Sequence, residues 1–391
     1  MQRISSYEGV AVAVPVTVEY CKSTEHGTNW FIGRVLEELL RESGLKKENI
    51  GGLALSSYSN APDSAAVMAE HFGLELDWVC DLPMGGASAV IALKRAARAI
   101  QCGDAEVVAC IGADRLAGKD FKKLIDNFSS FSRDYVNPYG AAGPNAVFAM
   151  ITQYYMGETG ATREDFGSIC VAQRESALRN PISLLRKSLS IQEYLAAPPI
   201  ADPLHLFDCV MPCCGGEGYL VMSEELAKST GQEYAIIKGA METHNAFSQD
   251  AIQKRGGWEK ASGAMYNQAG LGPDDMDFLQ AYDDYPVIVM MQLEGLGFCN
   301  PGEASRFVRT TSLAVNGGGL PLNTGGGQLS IGQAGAAGGF LGVNEAIRQV
   351  TKRPLGLQVM GATTGIVGGY GYVNYDRGIC SSAAILQSGA L

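Results

Sequence analysis

The chain has 391 residues, of which 46% are hydrophobic and 18% are charged, and this composition is typical of a globular protein with a large core. Its 49 glycines are spread along the sequence without a fixed period, which excludes a collagen-like or linker protein. The formal net charge is -11 and Lys and Arg form no dense cluster, so we expect no nucleic-acid partner.

The sequence pattern predicts neither a membrane protein nor an exported one. No apolar run reaches the length of a membrane span and the first residues have no signal-peptide pattern, so we expect a cytoplasmic protein. The ten cysteines are then expected to be free thiols in a reducing compartment. Because no Cys-x-x-Cys pair occurs and only four histidines are present, we expect no structural metal site in the chain.

Two segments of the chain repeat one local pattern. Residues 44–55 begin with Gly-Leu after an amphipathic helix, continue through an acidic turn and end in an apolar strand. Residues 270–281 follow the same course. Internal similarity of this kind indicates that the chain contains a duplication.

The alternation of helices and strands also agrees between the two halves. A helix predicted over residues 87–101 precedes a strand at 106–111, and a helix at 340–350 precedes a strand at 355–360. Strands that alternate with helices favour sheets that are covered by helices on both faces. The sequence therefore predicts an α/β protein.

The segment between these elements is less regular. Residues 119–143 are rich in Phe, Ser and Tyr and are long for a connection, which indicates a functional loop or an interface arm. Helices are predicted over residues 144–156 and 163–180, with Thr162 as the cap of the second.

Residues 323–339 place glycine after glycine just before the predicted helix at 340–350. Glycine permits close backbone approaches, and a helix that starts there directs unpaired N–H groups at whatever lies over the turn. We therefore expect a backbone that holds a negative oxygen, either of a phosphate or of a developing enolate. Leu322, Leu329 and Ile331 interrupt the glycines, which favours buried packing over a loose loop.

The same residues resemble the signature of the thiolase family, Asn-x-x-Gly-Gly followed after four residues by Gly-His-Pro-x-Gly-x-x-Gly. The matching residues are Asn323, Gly326, Gly327, Gly332, Gly335 and Gly338, and Gln333 stands where the family has histidine. Residues 103–112 and 154–166 resemble further thiolase segments, and residues 203–209 and 294–299 are similar to the sterol-carrier-protein branch.

This resemblance implies a fold and a division of the chain. We expect an α/β protein with the thiolase fold, in which two duplicated halves with mixed sheets pack in a five-layer arrangement. Residues 1–115 and 144–240 are then expected to form the N-terminal half, residues 116–143 a covering or interface loop, and residues 241–391 the C-terminal half.

Thiolases act through a nucleophilic cysteine, an activating histidine and a second cysteine, and the resemblance finds none of these groups here. The nucleophile position falls on Gly86, the histidine position on Gln333, and the second cysteine on Gly365 at the start of a loop at residues 365–371. A thiolate is the attacking species in such catalysis. The loss of all three groups argues against a covalent acyl-enzyme, although the loops that position them remain.

Those loops are expected to direct backbone N–H groups at the thioester oxygen. The residues assigned to this role are Gly86, Gly326, Gly327, Gly365 and Gly368. A retro-aldol step needs such enolate stabilisation and a base for the β-hydroxyl, but it needs no nucleophile. Coenzyme A would also need a local basic patch, for which Lys119, Lys122 and Lys123 are one candidate, unless they form a solvated helix face.

Thiolase-like aldolases of steroid side-chain degradation resemble this chain in carrying glycine at the nucleophile position. They work as complexes with a small zinc-ribbon/OB-fold protein, and their chemistry depends on two tyrosines. Tyr282, which begins residues 282–286, matches the first tyrosine, and Gln333 replaces the second. The resemblance implies an acyl-CoA substrate, a homodimer, an accessory protein that alone holds zinc, and no covalently bound cofactor.

The remaining polar residues are assigned roles on this basis. Gln333 can donate a hydrogen bond but cannot take a proton, so we assign it to the enolate oxygen. The base is expected to be Tyr282, Asp283 or Asp284, and at most one of the two adjacent carboxylates should enter the pocket. Alternatively, Asp284 caps the helix predicted over residues 286–294.

Other candidates have weaker patterns. Tyr370 is a further catalytic candidate because it and Tyr372 flank Gly371, and packing is the alternative for both. The residues expected to contact the substrate are Asn323, Ser330 and Gly332. The aromatic residues at 127–139 indicate either a bulky apolar substrate or a dimer contact.

Three functions are consistent with the sequence. The leading interpretation is retro-aldol cleavage of a β-hydroxyacyl-CoA through a thioester enolate without covalent cysteine catalysis. The alternatives are thiolase-type acyl transfer by unusual residues and a non-catalytic acyl-CoA-binding subunit.

Overall fold

The computed structural model describes residues 6–126, 128–141 and 143–389. Its strands are β1 (Val10–Cys21), β2 (Gly52–Ser56), β3 (Trp78–Asp81), β4 (Val107–Arg115), β5 (Pro199–Ala201), β6 (Leu204–His205), β7 (Cys214–Ser223), β8 (Tyr234–His244), β9 (Leu279–Gln280), β10 (Thr364–Asn374) and β11 (Arg377–Ser388). Its helices are α1 (Thr28–Ser43), α2 (Ala65–Phe72), α3 (Ser88–Cys102), α4 (Lys119–Asp126), α5 (Ser130–Tyr135), α6 (Pro144–Thr159), α7 (Arg163–Ala177), α8 (Ile191–Leu195), α9 (Glu224–Ser229), α10 (Trp258–Ala269), α11 (Pro286–Gly295), α12 (Ala304–Thr310), α13 (Gly327–Ile331) and α14 (Ala337–Val350).

The order of the main sheet displays the duplication. The strands follow one another as β3-β2-β4-β7-β1-β8-β11-β10-β9. In the first half β1 is antiparallel to β7, β7 is antiparallel to β4, and β4 is parallel to β2. In the second half β8, β11, β10 and β9 repeat these relationships in the same order. The predicted duplication is confirmed, and antiparallel pairing of β1 with β8 joins the two copies.

Helices separate and cover the two half-sheets. Helix α1 packs on β1, β4 and β7, and α10 packs on β8 and β11. Helices α3 and α14 contact each other and strands of both halves, so they form a central layer. The outer helices, the two half-sheets and the central pair together give the five layers that the sequence predicts.

Close packing in the central layer brings two helix starts together. Phe340 of α14 lies over Gly112 of β4, where any side chain would overlap the ring. Gly339 packs against the carbonyl of Gly86, just before α3, and would also clash if it carried a Cβ. Small residues at these points therefore allow the loop before α3 and the loop before α14 to face one pocket.

Several predicted boundaries are wrong. Helix α14 begins at Ala337 rather than at 340, and residues 355–360 form no strand. The Gln349 side chain bonds their backbone instead, through Leu357 O at 2.7 Å and Val359 N at 2.9 Å. The glycines at 365–371, which we expected in a loop, lie within β10.

The covering segment is more ordered than its composition suggests. The expectation of irregular structure over residues 119–143 is wrong, because the segment contains α4, α5 and a 3₁₀ turn at Asn137–Tyr139. Ser129 caps α5 by accepting a hydrogen bond from Ser132 N at 3.5 Å. Asn127, and the side chain of Lys119, lie outside what the structure describes. The expected division at residue 240 remains a prediction, and β8 passes through that position.

Candidate active site

A pocket lies between the covering segment and the loops of both halves. Its apolar wall consists mainly of Leu116, Phe121, Leu124, Ile125, Phe128, Val136, Val147, Phe148 and Val373. Its polar end contains Tyr58, Gly86, Tyr282, Asp284, Gln333 and Gly371. An apolar chamber with a few convergent polar groups is the usual form of a small-molecule site.

Asp284 is the centre of the polar end. The Tyr282 hydroxyl donates a hydrogen bond to Oδ2 of Asp284 at 2.8 Å. The Gln333 amide donates to Oδ1 at 2.6 Å. Because both bonds are donated to the carboxylate, they orient it and stabilise its ionised form.

The environment makes Asp284 suitable as a base. Burial raises its pKa to about 7, and the nearby Asp283 charge acts in the same direction, whereas the bonds from Tyr282 and Gln333 oppose the rise. Burial, followed by the Asp284 charge, raises the pKa of Tyr282 well above its ordinary value. Tyr282 therefore stays protonated and acts through its O–H, while Asp284 exchanges a proton near neutral pH.

Asp283 has a different task from its neighbour. It is buried and accepts hydrogen bonds from Gln328 N at 3.0 Å and Leu329 N at 3.1 Å, at the start of α13. It does not line the pocket that contains Asp284. The alternative that Asp284 caps the helix after it is wrong, because α11 has no side-chain cap.

Backbone N–H groups of the glycine-rich segment, which we expected to hold an anion, donate to carboxylates of the chain itself. Asp283 occupies the N-terminus of α13, and the Asp114 carboxylate accepts from Ala336 N at 2.7 Å before α14. Gly326 and Gly327 accordingly pack near Ala177 and Asp283 rather than in the pocket. The structure does not bring them to a substrate oxygen, because neither glycine lines the pocket and Gly326 N donates to Asn323 O at 2.7 Å.

The place of the missing cysteine is taken by a tyrosine ring. A Cβ built on Gly86 would overlap Cε2 and Cζ of Tyr282. The pocket lining within the described residues includes no cysteine and no histidine. Among the described lining residues, none can therefore attack a substrate as a thiolate.

Strand β10 approaches Gly86 through Gly371, which the sequence analysis did not assign to this role. A Cβ on Gly371 would lie 2.7 Å from Gly86 N, so this close approach requires glycine. Gly365 packs against Phe278 and Gly368 against Gln292, and neither lines the pocket. The assignment of these two glycines to the oxyanion site is wrong, because the register of β10 places Gly371 there.

Tyr370 lines the pocket but its hydroxyl is used elsewhere. It donates to Gln253 and accepts from Gly378 N at 2.8 Å. The ring packs against Trp258 and Phe148. These contacts give Tyr370 a packing role in the pocket wall rather than the catalytic role expected of it.

The three residues expected to contact the substrate lie outside the pocket. Asn323 is buried, and its amide stabilises ionised Asp283. Ser330 accepts from Arg174 Nε at 3.1 Å, and Gly332 packs beside Cys213. These residues contact the glycine-rich turn outside the pocket, so the expectation that they contact the substrate is wrong.

The predicted basic patch is only partly described. Lys122 pairs with Asp126 at 2.7 Å, as expected for a solvated helix face. Lys123 lines an open groove beside the pocket, with Arg115 and Asp120. The described residues contain no helix that is long and apolar enough to cross a membrane.

Sequence reasoning missed two residues of the site. Tyr58 lines the pocket, and Asp114 anchors its loop by accepting from Tyr58 N at 2.9 Å and Ser59 N at 2.7 Å. No motif marks either residue. The position of Tyr58 in the chain was the only available signal. Tyr58 follows the carboxyl end of the parallel strand β2, and ligands of α/β sheets bind at such ends.

Comparisons with known proteins show which proteins this chain is similar to. The family model for a thiolase C-terminal domain-like region matches residues 239–385. A steroid side-chain-cleaving aldolase of Thermomonospora curvata is 32% identical over 327 residues, or 80% of this chain and 82% of that protein. The 17-hydroxy-3-oxo-4-pregnene-20-carboxyl-CoA lyase of Mycobacterium tuberculosis is 31% identical over 331 residues, or 80% and 84%.

Solved structures of the same kind of protein are also similar to this chain. A chain of the structure named Ltp2-ChsH2(DUF35) aldolase is similar with a TM-score of 0.83 and 28% identity, and the match covers 97% of this chain and 98% of that one. A monomeric SCP2-thiolase like protein of Mycobacterium smegmatis has a TM-score of 0.73 at 17% identity over 99% and 78% of the chains. The second likeness concerns the fold alone.

Proposed function

Because this chain belongs to the thiolase superfamily, in the branch of the steroid side-chain-cleaving aldolases, we propose that it catalyses retro-aldol cleavage of a β-hydroxyacyl-CoA. The observation that carries the proposal is the Tyr282–Asp284 pair in a pocket whose described lining has no thiol and no imidazole. Such a pocket can move a proton and stabilise an anion, and these are the two demands of a retro-aldol step.

The reaction begins at the β-hydroxyl. Tyr282 accepts the hydroxyl proton as its own proton passes to Oδ2 of Asp284, along the 2.8 Å hydrogen bond. The Cα–Cβ bond breaks, the β-carbon becomes a ketone or aldehyde, and the electron pair moves into the thioester as an enolate. The proton then returns to Cα, which gives a shorter acyl-CoA and leaves the side chains unchanged.

The enolate oxygen is stabilised at the former nucleophile position. The N–H of Gly86 has no acceptor among the described residues, and Gly86 lines the pocket. Gly371 has no side chain to cover this N–H. Gln333 instead holds Asp284, so it acts on the base rather than on the enolate oxygen, and this revises the role expected from its sequence position.

The pocket wall favours an apolar acyl group. Phe128 stacks on Tyr372, and the apolar residues of α4 and α6 continue this surface. Burying such surface against a substrate contributes about 25 cal/mol per Å². A bulky hydrophobic β-carbon substituent fits this environment better than a short polar one.

We further propose that the working enzyme is a complex. The name of the solved relative, Ltp2-ChsH2(DUF35) aldolase, includes a DUF35 component, which supports a partner of that type. We propose that this partner is a small zinc-ribbon/OB-fold protein and that it holds the zinc. The edge strand β3 exposes Val79, which supports pairing of two copies in a homodimer. The complex is proposed to act in the cytoplasm.

The test is product formation by the chain co-purified with its DUF35-type partner. A β-hydroxyacyl-CoA with an apolar tertiary β-carbon should yield equal amounts of a ketone and a shorter acyl-CoA by mass spectrometry. Tyr282→Phe should lower kcat by about 100-fold or more, because the proton path is lost. The exposed Tyr139, which does not line the pocket, gives the matched control Tyr139→Phe. An unchanged rate in Tyr282→Phe would refute the mechanism.

A further inference from the structure

Tyr58 brings a second phenol to the polar end of the pocket. It follows β2, and it lines the pocket together with Gly86, Tyr282 and Asp284. Its hydroxyl oxygen lies 2.5 Å from where a Cβ on Gly85 would be. Glycine at residue 85 therefore allows this hydroxyl to sit beside the turn that precedes α3.

The backbone around Tyr58 is held firmly. Asp114 accepts hydrogen bonds from Tyr58 N, from Ser59 N and from the Ser57 hydroxyl at 2.7 to 2.9 Å. The same carboxylate holds Ala336 N at 2.7 Å, which fixes the turn after Gln333. One buried side chain thus sets the loop of Tyr58 and the loop of Gln333 relative to each other.

The ring of Tyr58 is also fixed. Its centroid lies 5.5 Å from that of Phe128, which in turn stacks on Tyr372 at 5.6 Å. A ring held on one side by the covering segment and on the other by its own loop has little rotational freedom. The hydroxyl is therefore preorganised, which is the condition for effective stabilisation of a developing charge.

Two hydrogen-bond donors converge beside Gly85. Among the described residues, neither the Tyr58 hydroxyl nor the Gly86 N–H has a hydrogen-bond partner. Gly86 is buried and Tyr58 is half-buried, and both line the same pocket, so their two donors are available to the acceptor atom of a bound ligand. An enolate oxygen is an acceptor that can take both bonds.

We propose that Tyr58 is a further catalytic residue, whose hydroxyl donates a hydrogen bond to the thioester oxygen beside the N–H of Gly86. This inference rests on the proposed function, since it names the group that holds the enolate in that reaction. Tyr282 and Asp284 then move the proton, and Tyr58 stabilises the charge.

The electrostatics agree with a donor rather than a base. Burial, followed by the charges of Asp284 and Asp114, raises the pKa of Tyr58 well above its ordinary value. The hydroxyl therefore keeps its proton at neutral pH. A phenol that stays protonated can donate to an oxyanion throughout the reaction.

The first test compares Tyr58→Phe with Tyr139→Phe in the complex with its partner. Phenylalanine keeps the ring contact with Phe128 and removes only the hydroxyl. Loss of one oxyanion donor should lower kcat by about 100-fold or more and leave KM within a few-fold. A kcat equal to that of the wild type would overturn the inference.

The second test needs no cleavage. A saturated acyl-CoA labelled with ¹³C at the thioester carbonyl is bound to each protein, and the carbonyl resonance is recorded. The wild type and Tyr139→Phe should move it downfield, and Tyr58→Phe should lose most of that shift at similar Kd. An equal shift in Tyr58→Phe, or no shift in the wild type, would overturn the inference. A Tyr58-dependent shift without cleavage by the wild type would refute the proposed reaction but support Tyr58 as the donor.

Discussion

The ring of Tyr282 occupies the space that a side chain on Gly86 would need. Of the three ring atoms nearest to a Cβ built at residue 86, even the farthest, Cδ2, would lie only 2.6 Å away. The two residues are therefore coupled, since the ring of Tyr282 fits only where residue 86 has no side chain. Restoring a cysteine at residue 86 would displace Tyr282 rather than recreate a thiolase.

Gly86→Ala tests this coupling. The added methyl group should destabilise the protein by about 1–3 kcal/mol, because the buried ring has to move. Cleavage should fall with it. The double variant Gly86→Ala/Tyr282→Ala removes the overlap but leaves a cavity, so it should stay inactive and should not regain the melting temperature of the wild type.

A matched glycine provides the control. Gly157 lies in α6, and a Cβ there would meet nothing within 4 Å. Gly157→Ala should raise stability by about 0.5–1 kcal/mol through helix propensity. Thermal unfolding of all four proteins makes the comparison, and a fully stable Gly86→Ala would contradict the coupling.

The adjacent carboxylates should separate catalysis from stability. Asp284→Asn should lower kcat by about 100-fold or more with little change in melting temperature, because the proton acceptor is lost. Asp283→Asn should cost about 1–3 kcal/mol, because one N–H at the start of α13 loses its acceptor. Kinetics and thermal unfolding measure both effects. Similar profiles for the two variants would show that the assignment of roles is mistaken.

The pH dependence of the cleavage rate tests the hydrogen bond that Gln333 donates to Asp284. Asp284 must be ionised to accept a proton, so the cleavage rate should fall as pH drops below about 7. Gln333→Leu removes a hydrogen bond that favours the carboxylate. The pKa of Asp284 should then rise, and the fall in rate should begin about one unit higher. The readout is kcat/KM from pH 5 to 9, and coincident profiles would count against this contact.

Glu217 should make folding stability depend on pH. It is fully buried and accepts from the Thr17 hydroxyl at 2.7 Å and the Asn344 amide at 2.5 Å. Burial raises its pKa from 4.5 to about 7, so the folded state binds more protons than the unfolded state between these values. Its stabilising contribution is complete below about pH 4.5 and is lost as pH rises through about 7.

Glu217→Gln removes that dependence. The free energy of unfolding of the variant relative to the wild type should increase between pH 4.5 and pH 8 by about 3 kcal/mol. The exposed Glu225, changed to Gln, gives the control. Urea unfolding at the two pH values measures the difference, and a pH-independent difference would refute the role of Glu217.

Local sequence patterns predict much of the fold. The repeat between residues 44–55 and 270–281 predicts the duplicated sheet, because a helix, an acidic turn and a strand each have short-range signals. The strand predicted at 355–360 fails because Gln349 bonds that backbone from a neighbouring helix. Residues 355–360 themselves contain no sequence pattern that predicts this contact with the Gln349 side chain.

Part of the site could be read from motifs. Tyr282, Asp284 and Gln333 were singled out by the sequence, and they meet in one pocket. The anion cradle was misread because its occupants are the chain's own carboxylates. Asp283 lies 45 residues from Gln328, and Asp114 lies 222 residues from Ala336. Local glycine spacing indicates that an anion is held there but does not say which anion.

The most direct test of a non-covalent aldol mechanism is the requirement for free coenzyme A. Thiolytic cleavage consumes one molecule of free coenzyme A per turnover, whereas retro-aldol cleavage consumes none. The complex should therefore convert a β-hydroxyacyl-CoA fully into a carbonyl product and a shorter acyl-CoA when free coenzyme A is absent. Cleavage that stops without added coenzyme A, and resumes in proportion to it, would contradict the account.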